Sequence, residues 1–181
     1  MLEIASEEQL TEDFLKYYCT KDKDIQNFLQ VKALYYENRG WCSTYILANE
    51  EKLAYENTLF VEGYFTLSNK VIQLSDSISG NRRKKLFGGI KKSDHFIHAI
   101  LIGQLGKYIY EEEEQQIYGE TSAEELLDQA FQIIYEVKER IACNCVLVEC
   151  KDEPKVRSIY ESYGFTELQQ EKELIQYFKI I

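Results

Sequence analysis

Proline and histidine are nearly missing from this chain. Pro154 is the one proline among 181 residues, and His95 and His98 are the two histidines. So little proline argues against Pro-rich linkers and disordered tails. Two histidines, beside five cysteines (Cys19, Cys42, Cys143, Cys145, Cys150) that lack metal-ligand spacing, speak against a zinc site. The odd thiol count suits reduced, mostly buried cysteines better than a disulfide framework. Basic excess is missing too: the formal net charge is -10. Such a chain repels nucleic-acid backbones and anionic membranes on average. No window reaches the roughly 18 apolar residues of a spanning helix. The N-terminal MLEIASEEQL has neither the basic region nor the apolar run of a signal peptide, so a cytoplasmic protein without membrane attachment is expected.

What is present is an ordinary globular composition, 45% hydrophobic and 29% charged, with 14 tyrosines. The length suits one domain over residues 1–181. Periodicity predicts a short helix over Glu7–Tyr18 and a second from Asp22 or Asp24 to Asn38, closed by Gly40. CSTYILA (42–48) and LFVEGYFTL (59–67) read as strands joined into a hairpin, with NEEK as the turn, and VIQL (71–74) extends the sheet. FIHAILIGQL (96–105) reads as a central strand buried on both faces. The Glu111–Glu114 run reads as a solvated face or turn. A long amphipathic helix covers 122–141, VLVEC (146–150) is a strand, and a helix from Pro154 to Tyr163 stops at Gly164. ELIQYFKII is a final strand. The order gives an α/β (α+β) domain.

A strand feeding a helix start is an anion site in waiting, because the first N–H groups of the helix lack intrahelical partners. Gly119, Thr121, Ser122 and Ala123 are the small residues there, followed by Glu124. LIGQLGK, YGETSAEELL and KVRSIYESYGF, in this order, resemble the coenzyme strand, pyrophosphate loop and tyrosine-bearing helix of the GNAT superfamily of N-acetyltransferases. The N-terminal DIQNFLQVKALYYENRGWCSTYILANEE…VEGYFTLS is similar to the toxin-type branch, whose members pair with ribbon-helix-helix antitoxins. The resemblance covers most of the chain. It implies a single GNAT-like domain: a mixed, twisted sheet flanked by helices, with acetyl-CoA bound where two central strands splay apart and no metal. It further implies Tyr160 as the acid for the leaving thiolate. Leu105, Gly106 and Lys107 match coenzyme-strand positions, and Gly119, Thr121, Ser122, Ala123 and Glu124 match the pyrophosphate loop.

No general base stands out; Glu149 on the VLVEC strand is one candidate and water another. Thr121 and Ala123 stand where the family usually has glycines, and the loop carries no arginine. Three functions therefore stay open: acetyl transfer to an amine of unknown identity, toxin-type acetylation of aminoacyl-tRNA, and a non-catalytic binding module on the same fold. The one basic cluster, Arg82, Arg83, Lys84 and Lys85 with Lys91 and Lys92, is either a solvated helix or a contact for tRNA or coenzyme phosphate. The YFKII and GYFTL strands are the two features that would permit a homodimer.

Overall fold

A computed structural model describes residues 6–56, 58–87 and 95–181, the side chains of residues 85–87 excepted. Ser6 accepts from the Gln9 N–H at 3.2 Å and starts α1, Glu7–Leu15. The helix ends before the expected Tyr18, and Tyr17 turns inward to 1% exposure. Asp22 caps α2, Lys23–Asn27, through the N–H groups of Asp24 and Ile25 at 3.0 and 3.3 Å. The helix then widens into a π-helical turn, Phe28–Lys32, and resumes as α3, Ala33–Asn38, with Gly40 at φ +64 just beyond its end.

Strands β1, Ser43–Ala48, and β2, Val61–Gln73, pair antiparallel from Ser43↔Leu67 to Ala48↔Val61. The expected tight turn between them is instead a helix, α4, Glu50–Glu56: Asn49 accepts from the Lys52 N–H at 2.9 Å, so the turn residues cap a helix. VIQL belongs to β2 itself. Next come α5, Gly80–Phe87, and β3, Phe96–Lys107. β3 starts as an alternating strand, with Ile97 and Ala99 buried and Phe96 exposed, not as one buried on both faces throughout. The acidic run folds as a hairpin of β4, Ile109–Glu112, and β5, Gln115–Tyr118. The chain ends with α6 (Ala123–Lys138), β6 (Cys145–Lys151), α7 (Pro154–Ser162), β7 (Thr166–Glu171) and β8 (Leu174–Ile180).

The main sheet is mixed and six-stranded, in the order β1-β2-β3-β6-β8-β7. Its parallel ladder covers only Ile100–Ile102 of β3 against Val146–Val148 of β6. The Tyr108 N–H donates to Glu62 at one end of the β2–β3 pairing, and the Leu74 N–H donates to His95 at the other. Between these points the chain takes twelve steps on the β2 side (62 to 74) and thirteen on the β3 side (95 to 108), one residue more.

Two compact units divide the packing. One comprises Met1–Leu67 with Gly103–Phe131; its core joins Phe14, Tyr17, Phe28, Leu29, Val61, Tyr64 and Tyr108. The other comprises Ser68–Ile102 with Gln132–Ile181, around Ile72, Leu74, Ile97, Leu147, Leu168 and Phe178. In the first unit α2 and Tyr17, just past α1, come down on Gly106. A Cβ there would strike Ile25 Cγ2 and stand 3.0 Å from the Tyr17 hydroxyl. Close approach also lets the Tyr64 hydroxyl donate to the Ile25 carbonyl at 2.6 Å, a bond contributing about 1 kcal/mol. Gly106→Ala is expected to destabilise the protein by about 2 kcal/mol, an overpacking cost, and to lower Tm by about 4–8 °C in a thermal melt.

Candidate active site

The start of α6 is built by a reciprocal cap. Ser122 Oγ accepts from the Glu125 N–H at 3.1 Å, and Glu125 Oε2 accepts from the Ser122 N–H at 2.7 Å. The hydrogen bond from the Ser122 backbone holds the Glu125 carboxyl below its ordinary pKa. Of the helix's orphan donors, the cap leaves the N–H groups of Ala123 and Glu124 for a ligand. The preceding loop is held by a buried carboxylate. Glu62, 7% exposed, accepts from the Glu120 N–H at 2.7 Å and from Asn49 Nδ2 at 2.8 Å. Gly119 makes room for it, since a Cβ at Gly119 would lie 2.5 Å from Glu62 Oε2 and 3.1 Å from Tyr108 Cβ. Gly119 thus serves the packing of Glu62 within the protein.

Gly63 ties this loop to the coenzyme-strand positions. A Cβ at Gly63 would meet Thr121 Cγ2 at 2.9 Å, the Gly106 carbonyl at 3.1 Å and Leu126 at 3.1 Å. Gly106 and Thr121 therefore share one neighbourhood, with Leu105 and Lys107 flanking Gly106 on β3. Glu62, Gly63 and Glu125 are the residues that sequence reasoning missed. A capping box, Ser-x-x-Glu ahead of an apolar run, was the signal for Glu125; a glycine inside an apolar strand was the signal for Gly63. The Tyr17 hydroxyl, aimed at the same strand, has no hydrogen-bond partner among the described residues.

In the second unit, Pro154 opens α7 at a first-turn position and Gly164, at φ +87, ends it. Tyr160 lies on the buried side of α7, 9% exposed, edge-on to Phe165 at 5.7 Å between ring centroids. Burial pushes its phenol up, and the neighbouring Cys150 thiol adds to the shift, so the hydroxyl stays protonated at neutral pH. Arg157 fixes the same helix by donating to the Tyr177 hydroxyl at 2.9 Å, to Asp152 at 2.9 Å and to Glu167 at 3.0 Å. Glu149, next to Cys150 on β6, points to the other face of the sheet. Its two oxygens receive Lys70 Nζ at 2.6 and 2.7 Å, and Gln176 Nε2 donates to Oε1 at 2.7 Å.

Several surface expectations change. Arg83 is not a free basic side chain: it is 3% exposed and donates to the carbonyls of Ile78 and Ser75 at 3.1 and 2.9 Å. Arg82 donates to the Glu167 carbonyl at 3.1 Å, while Lys84 is exposed. The Lys85 side chain, Lys91 and Lys92 lie outside the described residues. The GYFTL and YFKII strands cannot serve as pairing edges, because β2 and β8 are both flanked by other strands. All five cysteines are free thiols, and burial pushes Cys145 up to about 12, far from a reactive thiolate. Among the described residues no cluster could hold a metal, and no helix is long and apolar enough to cross a membrane.

No protein-family profile and no curated protein matches the chain. Solved structures do. A complex of AtaT with acetyl-methionyl-tRNAfMet aligns at TM-score 0.66 and 20% identity, over 93% of this chain and 87% of that one. AtaTR bound with acetyl-CoA aligns at TM-score 0.67 and 20% identity, over 93% and 86%. A tyrosine-to-phenylalanine mutant of KacT aligns at 0.67 and 17%, over 93% and 87%. This chain therefore has the fold of these toxins, the GNAT fold that its sequence resembles.

Proposed function

We propose that the chain is an acetyl-CoA-dependent N-acetyltransferase, one catalytic domain in which an acceptor amine attacks the thioester directly. The observation that carries this reading is Tyr160: a buried, protonated hydroxyl held on the β6 side of α7, beside Cys150, on a helix braced by Arg157. The amine nitrogen bonds to the acetyl carbon and the carbon–sulfur bond breaks. The departing thiolate takes the Tyr160 proton, and the proton lost by the nitrogen restores the phenol. Burial makes a persistent tyrosinate costly, so the proton passes through Tyr160 without resting there.

Coenzyme phosphate is assigned to the α6 start, with the N–H groups of Ala123 and Glu124 as donors and Leu105, Gly106 and Lys107 along the pantetheine arm. Thr121 and Ser122 shape the turn, and Gly119 holds it through Glu62. The competing charge in this loop is Glu125, whose carboxylate already accepts from the Ser122 N–H. Toxin-type acetylation of aminoacyl-tRNA is the finer reading. It is supported by the AtaT complex with acetyl-methionyl-tRNAfMet and by exposed Arg82 and Lys84.

Calorimetric titration is expected to show acetyl-CoA binding to the wild-type chain; silence at millimolar coenzyme would leave a non-catalytic module as the better reading. Tyr160→Phe should keep that binding and lower kcat by about 100-fold or more, measured as release of the coenzyme thiol. Full turnover by Tyr160→Phe removes the acid assignment. Glu125→Gln, which takes a negative charge from the helix start, should tighten acetyl-CoA binding by about threefold in the same titration.

A further inference from the structure

The second unit carries a polar chain that the acetyl-transfer mechanism above does not use. Gln176 is 0% exposed on β8, in register with Glu149 on β6. Its amide donates to Glu149 at 2.7 Å and to Glu171 at 2.6 Å. Gln169 on β7 holds Gln176 Oε1 at 2.8 Å and is itself tied to the Gln73 carbonyl at 2.9 Å and the Ser75 N–H at 2.8 Å. Burying such a chain costs free energy unless every member is satisfied, and these members are. Its effect is to hold the Glu149 carboxylate in one orientation. Lys70 is paired with Glu149, both of whose oxygens lie within 2.7 Å of its ammonium.

Two facts describe the setting of this pair. It is open to solvent, Lys70 at 30% and Glu149 at 17% exposure, while the amide that orients Glu149 is fully buried. It also stands where the parallel ladder stops. Val148 is the last β6 residue in that ladder, Glu149 follows on one face of the strand, and Cys150, beside Tyr160, on the other.

We infer that Glu149 is an ammonium-binding site and that Lys70 occupies it as an internal stand-in for the acceptor amine. The word acceptor rests on the acetyl-transfer reading; the ammonium site does not. A ligand ammonium exchanges with Lys70 one charge for one charge, so the carboxylate is never left unpaired, the costly state for a shielded charge. The flexible four-carbon stem of Lys70 lets its head move into water while the carboxylate stays fixed by Gln176. Selectivity follows: a cationic primary amine competes for the position, and an uncharged amide does not.

The test uses the full chain with 13C-carboxyl-labelled glutamate, glycinamide as the ammonium probe and acetamide as the uncharged control. The Glu149 resonance is identified by its loss in Glu149→Gln. In Lys70→Gln, glycinamide should shift that resonance with a Kd at least about tenfold below the wild-type value, and acetamide should not shift it. Lys70→Arg, which keeps the pair, should behave as wild type. Equal Kd values in Lys70→Gln and wild type, or an equal response to acetamide, overturn the inference. Should Lys70→Gln fail to fold, the 15N ammonium signal of Lys70 in the wild type decides. Displacement toward its free-solution position by excess glycinamide supports the site, and an unchanged signal at saturation overturns it. A chain that binds glycinamide at Glu149 yet ignores acetyl-CoA loses the transferase reading and keeps the ammonium site.

Discussion

The first unit depends on two places where a side chain is missing. Gly63 and Gly106 lie on neighbouring strands and open opposite faces of the sheet. Gly106 lets Ile25 and Tyr17 stand directly on β3, and Gly63 lets Thr121 and Leu126 reach β2. The Tyr64 hydrogen bond to Ile25 and the aromatic stack of Phe28 on Tyr64, at 6.3 Å, follow from the first approach. Seating of the α6 start follows from the second. Interiors packed at crystal density leave no slack at such contacts, so a methyl group at either position would press on these neighbours. Gly106 matches a coenzyme-strand position, and within the protein it admits Ile25 of α2 and the Tyr17 hydroxyl.

Acidic residues take over tasks at the α6 loop that small residues and bases perform elsewhere. Glu62 neutralises the Glu120 N–H from below, and Glu125 neutralises the Ser122 N–H from within the helix. Each carboxylate satisfies a donor that an incoming phosphate would otherwise find free. The loop is therefore well ordered without a ligand, and the preorganisation carries a charge cost when an anion arrives. Two first-turn N–H groups, those of Ala123 and Glu124, lie outside the cap.

How much of this was legible depends on the kind of signal. Strands β1, β2, β3, β6 and β8 and helices α6 and α7 were legible because their apolar periodicity and stop residues act locally. The helix at Glu50–Glu56 was misread as a turn because Asn49 serves equally as turn former and helix cap. β7, TELQQE, gave no apolar signal: it is an edge strand with Leu168 as its buried anchor, and its Gln169 bonds Gln176 and the Gln73 carbonyl. The π-helical turn at Phe28–Lys32 has no periodic signature of its own. Glu62 and Glu149 read as ordinary strand carboxylates, since only the fold brings Asn49, Glu120, Lys70 and Gln176 to them. Contacts between residues far apart in the chain were the part that one sequence could not disclose.

β6 shows why such distant contacts decide chemistry. A strand sends neighbouring side chains to opposite faces, so Glu149 and Cys150 differ by one position and belong to different environments. Cys150 faces α7 and the Tyr160 ring, an apolar setting that keeps a phenol protonated. Glu149 faces Lys70 and the glutamine chain, a polar setting that keeps a carboxylate paired. An acid and an anion need such opposite settings, the first apolar and the second polar. β6 borders both settings at the end of its parallel ladder, because the pleat sends Glu149 and Cys150 to opposite faces.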